Sequence, residues 1–274
     1  MPHDPEKRIR DPATALVFSR SGPDFDPGLG FETRTDFSLF HANLAYGWIP
    51  GPKSRLFSHV VRYAGGAYLR NSDQRVESAW SGVLWMFKTK SGFSGYISPY
   101  WMFENLSGPF AISGKAGVPA SRYQYGSFAA EFSTPSVRAL NLALKLDAGG
   151  FYDGHRFSSS AIPTWNASST LRIEAAYSFD RVVFPGRGQI YIAHIARLRA
   201  LCALSVKLSV SAFIQYGSDS GKVTGNFRVR YNPRKGVDLY VVYNKARTIS
   251  GALFDPVDPP LQGRALFLKL GYPF

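Results

Sequence analysis

The sequence predicts an all-β chain, an antiparallel transmembrane β-barrel of about fourteen strands, on three observations. Apolar and polar residues alternate at period two along most of the chain, the mark of strands with two unlike faces. The alternating segments mostly reach the roughly 9–11 residues that a tilted membrane strand needs, rather than the roughly 5–6 of an average globular strand. The last segment places Leu266, Leu268, Leu270, Tyr272 and Phe274 on one face of a final strand.

Taken in order, residues 1–35 read as a polar N-terminal segment with a partial strand near 13–20. Met1–Arg10 is charged and proline-bearing and has no signal-peptide character. From 36 to 274 the chain reads as barrel, with strands at 36–49, 56–70, 75–88, 93–104, 122–133, 138–151 and 155–165. They continue at 170–181, 189–199, 203–216, 222–231, 237–244 and 264–274. In the first, Phe40, Ala42, Leu44, Tyr46 and Trp48 oppose His41 and Asn43. Leu140, Leu142, Leu144 and Leu146 oppose Asn141, Lys145 and Asp147. Leu171, Ile173, Ala175, Tyr177 and Phe179 oppose Arg172, Glu174, Ser178 and Asp180. Leu204, Val206, Leu208, Val210, Ala212, Ile214 and Tyr216 oppose Ser205, Lys207, Ser209, Ser211 and Gln215, with Phe213 breaking the pattern. Phe227, Val229 and Tyr231 oppose Asn226, Arg228 and Arg230. The two longest connections, roughly 105–121 and 245–263, fall on the same side by strand parity, as the outer loops of a membrane barrel do.

Composition agrees. The 274 residues include 15 Tyr, 21 Phe and 5 Trp, a load that suits girdles at two lipid–water interfaces. No apolar run approaches the roughly 20 residues of a spanning helix. The net charge of +13 comes from basic residues scattered singly, without a nucleic-acid-binding pattern, so no nucleic-acid partner is expected. Cys202 stands alone, which excludes an internal disulfide.

The polar faces carry Lys145, Arg172, Glu174, Lys207, Arg228, Arg230 and Lys269 as candidate lumen residues. Asp147, Glu174 and Asp180 offset their charge in part, and a conducting lumen of this kind would prefer anions. The final strand, Leu266 to Phe274, is the candidate signal for the barrel assembly machinery, read by pairing at an exposed edge. Pro273 departs from the usual pattern at its very end. No catalytic, cofactor-binding or metal-binding constellation is read. Asp153-Gly154-His155 with Ser158, Ser159 and Ser160 reads as a hairpin tip. His41, His59, His155 and His194 are isolated, and His194 sits awkwardly on an apolar face. Trp80, Trp85, Trp101, Tyr96 and Tyr100 form an aromatic cluster, read as interfacial girdle before sugar platform. Asp255-Pro256-Val257-Asp258-Pro259-Pro260 reads as a stiff outer loop.

From about residue 23 onward the chain resembles a bacterial outer-membrane barrel domain of unknown function that follows a carbohydrate-binding family 9-like domain. The resemblance rests on Pro23-Asp24-Phe25-Asp26-Pro27-Gly28-Leu29-Gly30-Phe31 with Arg34-Thr35-Asp36, on Glu104-Asn105-Leu106 with Pro109-Phe110, and on Gly117-Val118-Pro119 leading to Tyr123. It continues through Gly150-Phe151-Tyr152-Asp153-Gly154, Phe184-Pro185-Gly186-Arg187-Gly188, Ile214-Gln215-Tyr216, Asn226-Phe227-Arg228-Val229-Arg230-Tyr231 and Val241-Val242-Tyr243-Asn244. It implies a Gram-negative outer-membrane location, lipid and the assembly machinery as partners, and a transport or surface-binding role linked to carbohydrate. It also implies that this chain is the C-terminal part of a larger protein, a fragment of a barrel begun upstream. The competing reading is a soluble, basic all-β glycan-binding protein.

Overall fold

The computed structural model describes residues 8–26, 28, 34–114, 116–248 and 263–272. Fourteen long strands form one antiparallel sheet. They are β1 Arg8–Ser21, β2 Phe37–Ile49, β3 Leu56–Arg70, β4 Val76–Thr89, β5 Ser94–Asn105, β8 Arg122–Ser133 and β9 Leu140–Phe151. The sheet continues with β10 Gly154–Asn166, β11 Leu171–Phe184, β12 Gln189–Ala203, β13 Leu208–Gly217, β14 Lys222–Arg234, β15 Val237–Thr248 and β16 Gly263–Gly271. Each pairs with its neighbour in sequence, so the order runs β1-β2-β3-β4-β5-β8-β9 and on to β16. A separate two-stranded hairpin, β6 Phe110–Ser113 and β7 Ala116–Val118, interrupts the series between β5 and β8. The described residues contain no α-helix and no pairing between β1 and β16.

Local chemistry accounts for the ladder's irregularities. Register shifts between Arg10 and Ala13 on β1, where Pro12 lacks an N–H, and between Tyr231 and Arg234 on β14, where Pro233 does. Pro99 lies inside β5, and the β4–β5 pairing lapses between Gly82↔Tyr100 and Trp85↔Ile97. On the other side of β5 the pairing with β8 is unbroken, so the missing donor is felt on one side only.

The chain divides into two compact units, Met1–Ser133 with Lys145–Phe157 and Arg181–Tyr191, and Thr134–Leu144 with Ser158–Asp180 and Ile192–Phe274. In the first unit the register puts Phe40, Ala42, Leu44, Tyr46 and Trp48 on the same face as Ala67, Gly65, Tyr63, Val61 and His59. Val83, Trp85, Ile97 and Trp101 continue it. This apolar face is the exposed one. Leu16 reaches 77% exposure, and Phe18, Phe40, Leu44, Phe57, Val83 and Trp101 are also exposed.

Aromatic rings concentrate toward the two ends of that face; Leu16, Ala42, Leu44, Gly65 and Val83 lie between, with Tyr63 opposite Leu44. Toward the short turns at 50–55 and 90–93, Trp48 stacks on His59 at 4.8 Å and Trp85 meets Phe87 at 5.2 Å. Toward the opposite end Phe18 meets Phe40 at 5.0 Å and Trp101 meets Phe103 at 6.5 Å. In the second unit the apolar faces of β13 to β16 align Ala212, Phe227, Tyr243 and Leu266, then Val210, Val229, Val241 and Leu268. Again this face is open, with Leu268 at 74% exposure.

The dry interior lies elsewhere, in one cluster of Ala116, Val118, Tyr123, Val182 and Phe184 in the first unit. Phe184 is fully buried. Gly154 makes this packing possible, because a Cβ there would stand 2.1 Å from the Val183 carbonyl oxygen and 2.7 Å from Phe184 Cδ1. Gly154→Ala therefore forces backbone apart and is expected to cost about 1–3 kcal/mol. Gly22→Ala, which meets nothing within 4 Å, should stay within about 0.5 kcal/mol. Equilibrium unfolding in urea distinguishes the two.

Candidate functional site

The strap between β5 and β8 turns onto the face opposite the exposed apolar one. Leu106 N donates to Ser121 O at 2.9 Å and closes its base. The β6–β7 hairpin then lays Ala116 and Val118 against Tyr123, Val182 and Phe184. Tyr152 occupies the two-residue turn before β10 with φ of 55°, a left-handed conformation unusual for a bulky residue. Rings hold it there: Phe110 at 5.5 Å, Tyr123 at 5.2 Å, Tyr125 at 5.5 Å and Phe151 at 4.8 Å. Burial pushes the Tyr152 phenol up from its ordinary pKa, and the nearby Glu104 carboxylate adds to the effect.

Arg187 ties the strap down. It sits on a single 3-10 turn, Pro185–Arg187, between β11 and β12. Its guanidinium pairs with Asp153 and lies 4.2 Å from the Phe184 ring centroid. Nη2 donates to Gly117 O at 2.9 Å, and Nε donates to Gln189 Oε1 at 3.3 Å. The same Gln189 oxygen accepts from Gly117 N at 3.3 Å, and Tyr123 OH donates to Pro119 O at 2.8 Å. An open groove of about 570 Å³ runs between the hairpin, Arg187 and Gln189. Segments 104–106, 117–119, 151–154 and 184–188, dispersed in the sequence and among those that carry the family resemblance, meet at this one place.

The polar face of the first unit carries several ion pairs. Arg34 donates to Ser78 at 2.9 Å, lies 4.3 Å over the Tyr68 ring and stands 3.7 Å from Glu77. Arg70 bridges Glu77 at 3.0 Å and Asp73 at 3.4 Å. Tyr100 OH donates to Asp147 at 2.8 Å, and Lys145 pairs with Glu131 at 3.3 Å. In the second unit Arg172 pairs with Glu174 at 3.3 Å, and Arg230 with Asp238 at 2.7 Å. Asn232 also donates to Asp238, at 3.0 Å. Arg197, Arg199, Arg228 and Lys269 have no ion-pair partner among the described residues.

These placements refine the sequence reading. Arg228, Arg230 and Lys269 share one polar face through the registers of β14, β15 and β16. Lys207 does not lie on a strand face: β12 runs on to Ala203, β13 begins at Leu208, and Leu204–Lys207 is the turn between them. Ser205 shapes that turn by accepting from the Lys207 and Leu208 amides. The alternation through Leu204 and Val206 was thus turn sequence, and both side chains are exposed. Arg197 and Arg199, which sequence reasoning passed over, alternate with outward Leu198. That spacing was the available signal.

The five-residue aromatic cluster divides. Trp85 and Trp101 lie on the exposed apolar face, whereas Trp80, Tyr96 and Tyr100 lie on the polar one. Trp80 there meets His41 at 5.8 Å and Tyr68 at 5.7 Å. His194 finds its account in Tyr177, whose OH is 2.7 Å from His194 Nδ1. Asp153 is engaged by Arg187 rather than by His155. Leu266, Leu268 and Leu270 are exposed along β16, and Tyr272, just past its end, is exposed too; Phe274 and Asp255 to Pro260 lie outside the described residues. Among the described residues no cluster of potential ligands could hold a metal ion. No family model matches the chain, and no curated protein is similar to it at a significant level.

Arg187→Ala removes every tie between the 3-10 turn, Asp153 and the Gly117 carbonyl, at an expected cost of about 1–3 kcal/mol confined to the strap. Limited proteolysis should then cut within 107–121 while the long strands stay protected in hydrogen exchange. Arg187→Lys, which keeps the charge and loses the fork, should give an intermediate rate.

Proposed function

We propose that this protein is an outer-membrane β-barrel whose exposed apolar face meets lipid and whose polar face lines an aqueous lumen. The observation that carries the reading is the inversion of the sheet. Large apolar side chains are exposed along strand after strand, while polar and charged residues occupy the opposite face. In water, contiguous apolar surface of this extent would drive association. In a bilayer it is the required surface, and backbone groups paired strand to strand satisfy the second requirement of a nonpolar solvent. The rings gathered at both ends of the apolar face support the same reading, as interfacial girdles do. Among the described residues no helix is long and apolar enough to cross a membrane.

The biochemical role that follows is transport or surface binding, with the strap narrowing one end of the lumen. The link to carbohydrate rests on the resemblance to barrels that follow a carbohydrate-binding family 9-like domain. The exposed apolar edge strand β16 supports recognition by the assembly machinery through strand pairing.

Two measurements test the proposal. Detergent-folded protein should give a heat-modifiable band on cold gel electrophoresis; monodisperse folded protein in plain buffer would refute the membrane reading in favour of a soluble glycan-binding protein. Leu44→Arg, near the middle of the apolar face of β2, should destabilise the protein in lipid vesicles by about 2–4 kcal/mol, against about 0–1 kcal/mol for the same change near a strand end. Equal costs at both depths would count against a bilayer.

A further inference from the structure

The second unit holds a row of arginines that form no ion pair among the described residues. Arg197 stands opposite Gln215 and Arg199 opposite Phe213 across β12–β13. On the far side of β13, Phe213 stands opposite Asn226 and Ser211 opposite Arg228. All five of these β13 and β14 positions therefore share a face with the two β12 arginines. Strands two apart lie roughly 9–10 Å from each other. Guanidiniums from β12 and β14 can accordingly converge above Ser211 and Phe213.

Glu174 pairs with Arg172, and Asp238 with Arg230 and Asn232, and no ion pair among the described residues joins a carboxylate to Arg197, Arg199 or Arg228. Arg197, Arg199 and Arg228 are exposed and make no hydrogen bond or ion pair among the described residues. Arg197 and Arg199 are two residues apart on one face, so each raises the electrostatic cost of the other. Beside these arginines lies a groove of about 430 Å³ lined by Phe213, Thr224, Asn226, Asn244, Ala246 and Ala265. There Asn226 Nδ2 donates to Asn244 Oδ1 at 2.5 Å. That bond fixes both carboxamides and leaves one donor group and one acceptor free for a neutral polar part of a ligand.

We propose that Arg197, Arg199 and Arg228 form a binding site for a multiply charged oxyanion, with Phe213 as its apolar floor and the Asn226–Asn244 pair at its border. Forked guanidiniums match phosphoryl and carboxylate oxygens in pairs. The site's place in a lumen rests on the membrane reading above, whereas binding itself requires only the folded chain.

Titration calorimetry on the detergent-folded full chain provides the test, with tripolyphosphate as the phosphoryl probe and citrate as the carboxylate probe. Saturable binding of either is expected, and whichever binds tighter names the source of the oxyanion. Arg199→Gln/Arg228→Gln should weaken it roughly tenfold or more, and Arg199→Lys/Arg228→Lys, which keeps the charge and the fold, should weaken it less. Lys53→Gln/Lys235→Gln removes the same charge from turns and should change affinity less than about twofold. Absence of binding by a folded, heat-modifiable protein would overturn the site and leave the barrel standing. So would equal loss in the turn variant. Binding with these variant effects by protein that is soluble in plain buffer would uphold the site and overturn the barrel.

Discussion

Everything in this molecule depends on the antiparallel ladder, which satisfies the strand backbone chiefly by pairing one strand with the next. Fourteen strands pair neighbour to neighbour, so each interior strand exchanges its N–H and C=O groups with two others. Both faces of the sheet are thereby released from structural duty. One becomes apolar and exposed, the other polar and charged, and the chain needs no large dry core between layers. Pro99 marks the tolerance of this arrangement: the lost donor interrupts one ladder briefly, and the unbroken β5–β8 register carries the strand through.

The strap is the exception, and it follows the rules of a soluble protein. There, within a few residues, are the fully buried Phe184, a non-glycine turn residue with positive φ, and a guanidinium surrounded by carboxylate, carbonyl and carboxamide. Ring packing around Tyr152 compensates its backbone conformation. The close approach at Gly154 would not survive a larger residue. Order in the strap comes from apolar packing and directed hydrogen bonds, whereas the strands depend on pairing with their neighbours.

The long strands were legible because period-two alternation is a local signal. It located all fourteen, and β1 differed mainly in starting earlier, at Arg8. Alternation could not separate turn from strand at Leu204–Lys207, since a turn of alternating leucine, serine, valine and lysine looks the same until its hydrogen bonds are seen. Nor could it find β6 and β7, which are 4 and 3 residues long and lie among glycines and prolines. The charge pairing of Lys145 with Glu131 and of Arg230 with Asp238 depends on cross-strand register and neighbouring turns, which are nonlocal. The aromatic cluster read as a unit because its members are close in sequence, yet odd and even positions on β4 and β5 point to opposite faces.

Arg187 also imposes an order of events. Its partners Asp153 and Gly117 precede it by 34 and 70 residues. The β6–β7 hairpin is long since synthesised before the side chain that secures it exists, and closing so long a loop must await the strands between. The strap is therefore among the last parts to lock, after β8 to β11 have registered. Until then the β6–β7 hairpin lies without the Arg187 bonds to Gly117 and Asp153.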